Sequence, residues 1–303
     1  MARRKPSLVH AVLLVDKPAG LTSNRVLQQI KRHLGAGKAG HTGALDPLAT
    51  GVLPICLGEA TKYSQFLLDA DKTYLTRAQL GARTDTADAD GDVTETAPVP
   101  SISADTVSQL LQQQFTGTVT QVPPRYSALK HQGQPLYKLA REGKPVPVKE
   151  RQVTLYESRL LDQGDDWLDL SLRCSKGTYV RSFVEDLAVA LGTLGYVSRL
   201  RRTQHGPFAI DQTHTLDAIL DTDPRTVMNW CLPVDACIAD LPVCAISEQQ
   251  YQRARHGNPV PLESAQEPGP VRLYFGDDFL GLGEIELDGT LKARRLVDTN
   301  LLN

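Results

Sequence analysis

An α+β fold is predicted by three observations. Strand-like and helix-like segments are mixed along the chain without a regular βαβ repeat. Val153 to Leu161 and Trp167 to Cys174 alternate apolar and polar residues, as a strand pair does. The chain beyond Pro242 carries short strand signals around one short helix.

Taken in order, Ala11 to Val15 is an apolar run closed by Lys17-Pro18-Ala19-Gly20, which reads as a buried strand. Thr22 or Ser23 can cap a helix in which Val26, Leu27, Ile30 and Leu34 share one face, and Gly35 ends it. A glycine-rich loop spans Gly35 to Gly51. Val52 to Leu57 reads as a strand, Ala60 to Leu68 as a helix and Thr73 to Leu80 as a strand. Asp90-Gly91 is a hairpin-type turn signal. Thr106 to Phe115 is a helix, and Pro123 to Pro147 is irregular. Val180 to Leu191 is a helix ended by Gly192. A boundary falls between Pro233 and Pro242. Beyond it lie a helix from Ser247 to Arg255 and strands at Val271 to Phe275, Gly281 to Leu287 and Leu291 to Leu296. The organisation expected is a large domain over 1–238, with an insertion at 123–151, and a small β-rich domain over 239–303.

The 303 residues are 41% hydrophobic and 22% charged, which suits packed cores rather than disorder. The net charge of -2 points to no nucleic-acid partner, so any such partner must be read from local charge. Cys56, Cys174, Cys231, Cys237 and Cys244 include no Cys-x-x-Cys pair and no zinc-like spacing with His. They read as small buried hydrophobes in a reducing compartment. The run after Arg3, Arg4 and Lys5 is too short for a signal-peptide core and has no small-residue cleavage site. No stretch approaches the roughly 18 apolar residues of a membrane span. A cytoplasmic protein is expected.

Several motifs fail their structural context. Gly35-Ala36-Gly37-Lys38-Ala39-Gly40 matches Gly-x-Gly-x-x-Gly, but a helix precedes it and a loop follows, the reverse of a dinucleotide site. The P-loop pattern fails at Ala39. Asp85, Asp88, Asp90 and Asp92 lack EF-hand spacing and read as a solvated acidic turn.

The informative segment is Gly40-His41-Thr42-Gly43-Ala44-Leu45-Asp46-Pro47-Leu48-Ala49-Thr50-Gly51. Its glycines allow close backbone approach, and Pro47 pushes Asp46 out of the helical region onto a defined bend. Taken alone, this is a turn with Asp46 as a cap. Tyr74 at a strand start, and Tyr179 with Arg181 at a strand-to-helix junction, shift the balance. An Arg beside a carboxylate keeps it ionised, and tyrosines stack on a base taken out of its helix. Taken one at a time, each of these residues reads as structural, with Tyr74 and Tyr179 as core aromatics. From Arg125 to Arg151 lie Arg125, Lys130, Lys138, Arg141, Lys144, Lys149 and Arg151, against Glu142 and Glu150, with Tyr126, His131 and Tyr137 interleaved. A basic loop with aromatics suits folded RNA, and equally a solvated surface loop if taken alone.

GHTGALDPLATGVLPICLG at 40–58, continued by Glu59-Ala60-Thr61-Lys62, strongly resembles the bacterial TruB family of tRNA pseudouridine-55 synthases. Asp16 to Ser23, Gly81 to Asp88, Pro123 to Gly143, Lys176 to Arg181 and Leu200 to Thr203 resemble further family motifs, in the same order. One departure is Ala44, where many members carry Thr; it replaces no catalytic group.

The resemblance implies a mixed, mainly antiparallel curved sheet with flanking helices and a small C-terminal PUA-like RNA-binding domain. It implies an isomerase that converts uridine 55 in the T-loop of tRNA to pseudouridine, and that also assists tRNA folding. By position, Asp46 is then the catalytic aspartate and Arg181 its partner. Tyr74 stacks on the base and is the candidate for moving the proton from ring carbon 5. Tyr179 and Leu200 wall the pocket, His41 supports the RNA loop and Lys17 supports the active-site loops. Arg125, Lys130 and Arg141 lie in the RNA-gripping insertion. The isomerisation needs no redox or energy input, so no metal or cofactor is expected, and an enzyme acting as a monomer without a protein partner is the reading.

Residue types leave open whether Asp46 attacks the sugar or removes a proton from it. Three rival readings compete. A non-catalytic RNA-folding protein predicts loss of Asp46, Tyr74 or Arg181, and all are present. A glycoside hydrolase needs two carboxylates flanking the bond, and no second acid is expected in the pocket motifs. A guide-dependent relative is disfavoured by the long basic insertion.

Overall fold

The computed structural model describes residues 9–124, 130–131, 134–135, 149–262 and 266–298. In chain order the first part holds β1 (Ala11–Lys17), α1 (Ser23–His33), β2 (Ala39–His41), β3 (Thr50–Leu57), α2 (Ser64–Asp69), β4 (Lys72–Leu80), β5 (Ala82–Thr84), β6 (Val93–Thr96), α3 (Ala104–Gln114) and β7 (Gly117–Gln121). Short strands β8 (Lys130–His131) and β9 (Gln134–Pro135) follow. Then come β10 (Arg151–Gln163), β11 (Trp167–Cys174), α4 (Val180–Ala190), β12 (Gly195–His205), β13 (Phe208–Ala209), β14 (His214–Thr215), α5 (Leu216–Asp221) and α6 (Pro224–Met228). The C-terminal part holds β15 (Val243–Ala245), α7 (Glu248–Arg255), β16 (Val260–Pro261), β17 (Gly269–Phe275), β18 (Asp278–Ile285) and β19 (Thr290–Leu296).

The large sheet runs β14-β1-β3-β12-β4-β11-β10-β7, with β2 on β3 and β13 on β12. Its β1/β14 and β12/β3 pairs are parallel and the rest antiparallel, the mixed, mainly antiparallel α+β arrangement expected. Bulges in the β12/β4 and β10/β11 pairings bend these strands. The C-terminal sheet, β15-β17-β18-β19-β16, is the expected small β-rich unit.

Apolar β1 and β3 are buried on both faces, which is why they read as continuous runs rather than alternating ones. One face carries Leu13, Val15, Leu53 and Ile55 against Val26, Leu27 and Ile30 of α1. Each such side chain contributes about 1.5–3 kcal/mol on burial. The other face presents Val12, Leu14, Val52 and Cys56 to Tyr63, to the single-turn helix Val234–Ile238, and to Phe279, Leu282 and Val297 of the C-terminal part. The two sheets therefore share a core. A third core lies between α3, α4 and the face of β4, β11 and β12 that carries Tyr74, Ala78, Leu172 and Leu200.

Two expectations change and one open choice is resolved. The helix read over 60–68 is a 3-10 turn at Gly58–Lys62 followed by α2, because Tyr63 is fully buried and its side chain turns inward to the C-terminal part, where its hydroxyl donates to Arg295 O at 3.0 Å. Thr22, not Ser23, caps α1, accepting from Arg25 N at 3.2 Å. The acidic turn at 85–92 does close a hairpin, β5/β6, but it is not simply solvated: Asp88 is 4% exposed. Arg125 and Arg141 lie outside the described residues, and of Lys130 only its place in β8 is described.

Candidate active site

The loop that carries Asp46 is clamped from below by the 16–23 segment. Ser23, the first residue of α1, faces inward, where its hydroxyl accepts from Leu45 N (2.8 Å) and donates to Leu45 O (3.2 Å). Lys17, fully buried at the end of β1, donates to Leu21 O (2.6 Å), Pro18 O (2.8 Å) and Pro47 O (3.3 Å). Gly20 N donates to the same Pro47 carbonyl at 2.8 Å. The residues on both sides of Asp46 are thus fixed, and the Asp46 carbonyl closes a turn with Ala49 N at 3.1 Å. Burial lowers the Lys17 ammonium to about 8, with Asp46 opposing the shift.

Two glycines seat this loop on β12. Gly51 has φ +107 and a side chain there would run into the Arg202 backbone, which lets β3 and β12 pair in parallel at 50–51 and 201–202. Gly43, φ +88, lies against His205 and the Arg202 guanidinium.

Opposite the loop, α4 opens directly after β11. Gln121 fixes its first turn, accepting from Tyr179 N (3.1 Å) and donating to Tyr179 O (3.3 Å), while Ser182 donates to Val122 O (2.7 Å). Arg181 in that turn points back under the loop and is 5% exposed. Its Nε lies 3.0 Å from Asp46 Oδ2, its Nη1 lies 3.6 Å from Asp88 Oδ2, and Nη1 donates to Thr86 O at 2.8 Å. Asp88 in turn accepts from the Thr86 hydroxyl (2.6 Å) and Asp90 N (3.2 Å). Arg181 therefore bridges a buried acid and a half-exposed one.

These residues meet around a cavity of about 300 Å³. Asp46, Tyr74, Tyr179, Arg181 and Leu200 all line it, and so do Lys72 and Arg202. That volume is at the small end for ligand sites and suits one nucleotide. A second cavity of about 650 Å³ shares Leu200 but contains neither Asp46, Tyr74 nor Arg181. Two of its arginines are committed to acids, Arg77 to Asp169 (2.6 Å) and Arg201 to Asp16 (2.8 Å), so its size does not make it the centre of chemistry.

Burial is the largest influence on the Asp46 carboxyl and pushes it above the ordinary carboxylate value; Arg181 opposes this most strongly, and Asp88 adds to the rise. Arg181 thus favours the ionised form without cancelling the effect of burial. A raised carboxylate is a stronger proton acceptor. Tyr74, 9% exposed, is likewise raised by burial, with Arg202 the main opposing influence.

Two expected residues stand apart from the cavity. Lys17 lies beneath the loop, with its ammonium on the Pro18, Leu21 and Pro47 carbonyls. His41 sits on β2 beside Ile55 and does not line the cavity; its Nδ1 is buried without a hydrogen-bond partner, and burial lowers its pKa. Three residues escaped a role in the sequence reading. Lys72 is two before Tyr74 on one strand, so period-2 alternation puts both on one face. Arg202 lies directly across from Tyr74. Asp88 is the second acid that no motif was expected to supply, but it sits behind Arg181 rather than across the cavity.

Three family models match consecutive parts of the chain. TruB family pseudouridylate synthase (N terminal domain) matches residues 31–180, tRNA pseudouridylate synthase B C-terminal domain 181–239, and Pseudouridine synthase II TruB, C-terminal 242–297. The tRNA pseudouridine synthase B of Chromohalobacter salexigens is 46% identical over 299 residues, covering 98% of this chain and 97% of that one. That of Pseudomonas syringae pv. syringae is 47% identical over 294 residues, covering 95% and 96%. Among solved structures, a Cbf5-Nop10-Gar1 complex matches in fold with a TM-score of 0.72 at 24% identity, over 95% of this chain and 85% of that one. A substrate-bound H/ACA RNP matches with a TM-score of 0.68 at 23% identity, over 97% and 81%. With relatives of such identity over nearly its whole length, the chain belongs to the TruB family of pseudouridine synthases.

Proposed function

We propose that this chain isomerises uridine 55 in the T-loop of tRNA to pseudouridine, with Asp46 as the essential carboxylate. The observation that carries the reading is the Asp46–Arg181 pair at 3.0 Å on the wall of a one-nucleotide cavity faced by Tyr74 and Tyr179. The target base must be extruded from the loop, at a cost of a few kcal/mol for unstacking. Stacking on the tyrosines and phosphate contacts offset that cost. Asp46 then acts on the sugar, as nucleophile or as base. The bond from ring nitrogen to sugar breaks, the base turns within the cavity, and carbon 5 is joined to the sugar. Tyr74 is the proton acceptor for carbon 5. Arg181 positions and partly neutralises Asp46, Leu200 and Tyr179 wall the base, and Lys17 holds the loop.

The remaining assignments follow the same reading. His41 supports the RNA loop, the basic insertion with Arg125, Lys130 and Arg141 grips tRNA, and 239–303 forms a PUA-like RNA-binding domain behind a catalytic domain over 1–238. The enzyme acts alone as a monomer in the cytoplasm and assists tRNA folding as well as modifying it. The test is incubation with an unmodified tRNA transcript and mapping of pseudouridine by chemical labelling. Product at position 55 is expected; product only elsewhere, or release of free uracil, overturns it.

A further inference from the structure

Arg202 is 1% exposed, yet among the described residues no carboxylate pairs with it. Its guanidinium is anchored to the backbone instead, Nε to Val52 O at 2.7 Å and Nη2 to Gly43 O at 3.0 Å. Carbonyl dipoles hold the group in place without neutralising it. A buried, uncompensated charge of this kind is costly, and it is tolerated where an anion forms beside it. On β12 it stands directly across from Tyr74 on β4, and both line the cavity, with Arg202 the main charge opposing the effect of burial on the phenol.

We propose that Arg202 is a positioning residue for Tyr74: its guanidinium holds the phenol oxygen at the target base and stabilises the phenolate that takes the proton from ring carbon 5. This rests on the reading of Tyr74 as that acceptor. In the step, the C5–H bond breaks and its electron pair returns to the ring, restoring the double bond. The proton bonds to the phenolate oxygen, giving a neutral phenol. Burial keeps the resting phenol neutral, so its own proton passes to water before the step, forming the phenolate transiently against Arg202, and the proton taken from carbon 5 leaves to water in turn.

The groups facing Tyr74 fit this assignment. Arg202 approaches from β12, Cys174 from β11, Asp46 from the catalytic loop, and Lys72 from the same face of β4. Lys72, 7% exposed, donates to the carbonyls that end α2, Leu68 O at 2.8 Å and Ala70 O, and likewise has no carboxylate partner among the described residues. A second cation therefore lies in the same floor. Neighbouring His205 lies in the same surroundings. Burial and then Arg202 and Lys72 push it down to about 2, so it stays neutral with its ring nitrogen on Leu67 O at 2.7 Å. Asp46 is the one facing group of opposite sign, and Arg181 is its partner.

The experiment follows the Tyr74 phenol directly. Protein labelled with 3-fluorotyrosine is titrated by fluorine NMR, with the Tyr74 signal assigned by its loss in Tyr74→Phe. Fluorine lowers the phenol pKa and brings the titration below the pH at which alkali unfolds the chain. Removing the facing cation in Arg202→Met is expected to raise the Tyr74 midpoint by about one unit or more. The single-turnover rate constant at neutral pH should fall on the order of 10- to 100-fold, partly recovered at higher pH, with tRNA binding changed less than about twofold. Arg202→Lys should keep the midpoint near that of the parent and recover part of the rate. An unchanged midpoint in Arg202→Met overturns the proposal, since loss of the Val52 and Gly43 hydrogen bonds alone would slow turnover without moving it. Should Arg202→Met not fold, Arg202→Gln, which keeps donors for those carbonyls but no charge, decides by the same midpoint. Undiminished turnover in Tyr74→Phe would sink the reading of Tyr74 itself, and this inference with it.

Discussion

Arg181 Nε lies 3.0 Å from Asp46 Oδ2, and the two partners differ sharply in solvent access: the guanidinium side chain is 5% exposed and the carboxylate 39%. The cation is fixed within the protein, while the acid is open on the side where a sugar must arrive. Removing either end therefore has different consequences.

Asp46→Asn keeps shape and removes the charge. Turnover should drop below detection, at least 10⁴-fold, while tRNA affinity stays within about threefold, because binding rests on phosphate and stacking contacts rather than on this acid. Filter binding and pseudouridine mapping on one preparation check both. Residual turnover above about 1% of the parent would refute the assignment.

The raised Asp46 carboxyl sets the acid limb of activity. Its ionised form is lost as pH falls through the folded value, which lies above that of a free aspartate. The single-turnover rate should therefore begin to fall at a higher pH than an ordinary carboxylate would give. Arg181→Met removes the largest opposing influence and should move that limb further up, besides slowing the reaction about 100-fold or more. An acid limb unchanged in position would argue that burial does not govern Asp46.

The same sign carries to stability. A carboxyl raised by folding favours the native state in its neutral form, so that contribution is full below the unfolded value and is lost as pH rises through the folded one. Asp46→Asn should accordingly raise the melting temperature slightly at neutral pH and lose this advantage in strong acid. Thermal melts at several pH values test it, and a lower melting temperature at neutral pH contradicts it.

Lys17 does not line the cavity, yet its ammonium binds carbonyls on both sides of the clamp, at Leu21 and Pro47. Lys17→Met should slow turnover on the order of 10- to 100-fold through misplacement of the Asp46 loop, with tRNA binding nearly intact. Equal loss of binding and turnover would point to general unfolding instead.

Asp235 is a structural counterpart far from the cavity. It is 5% exposed and accepts from Arg272 Nη1 at 2.8 Å and the Tyr274 hydroxyl at 2.6 Å, joining the 234–238 turn to β17. Asp235→Ala leaves a partly exposed guanidinium, still held on Leu241 O at 3.0 Å, without its acid, and should cost about 1–3 kcal/mol. Urea denaturation reads this as a lowered midpoint, and a loss under about 1 kcal/mol would show that solvent replaces the pair.

Much of this architecture was legible in residue patterns, for identifiable reasons. Strands β4 and β11 have one face in a core and one in water, so they alternate, and α1 and α4 show apolar stripes with glycine after their ends. Strand β12 went unread although it lies at the middle of the large sheet. Its Arg199, Arg201, Arg202, Thr203 and Gln204 look like surface, because the pairing of Arg201 with Asp16 and the anchoring of Arg202 on backbone carbonyls are contacts that no local pattern displays. Asp46, Tyr74 and Arg181 were found by motif and indeed share a wall. Asp88 looked solvated because four aspartates lie close together in sequence, and only the approach of Arg181, from another element, explains why one of them is inside.

The core common to β1, β3 and the C-terminal sheet makes the junction near residue 239 a division of sequence rather than of matter. A chain cut there would bare Val12, Leu14, Val52 and Cys56 along the strands that flank the Asp46 loop. Such a fragment should clump or partly melt rather than work as a miniature enzyme. The tail is thus the back wall of the catalytic half as well as a neighbour to it.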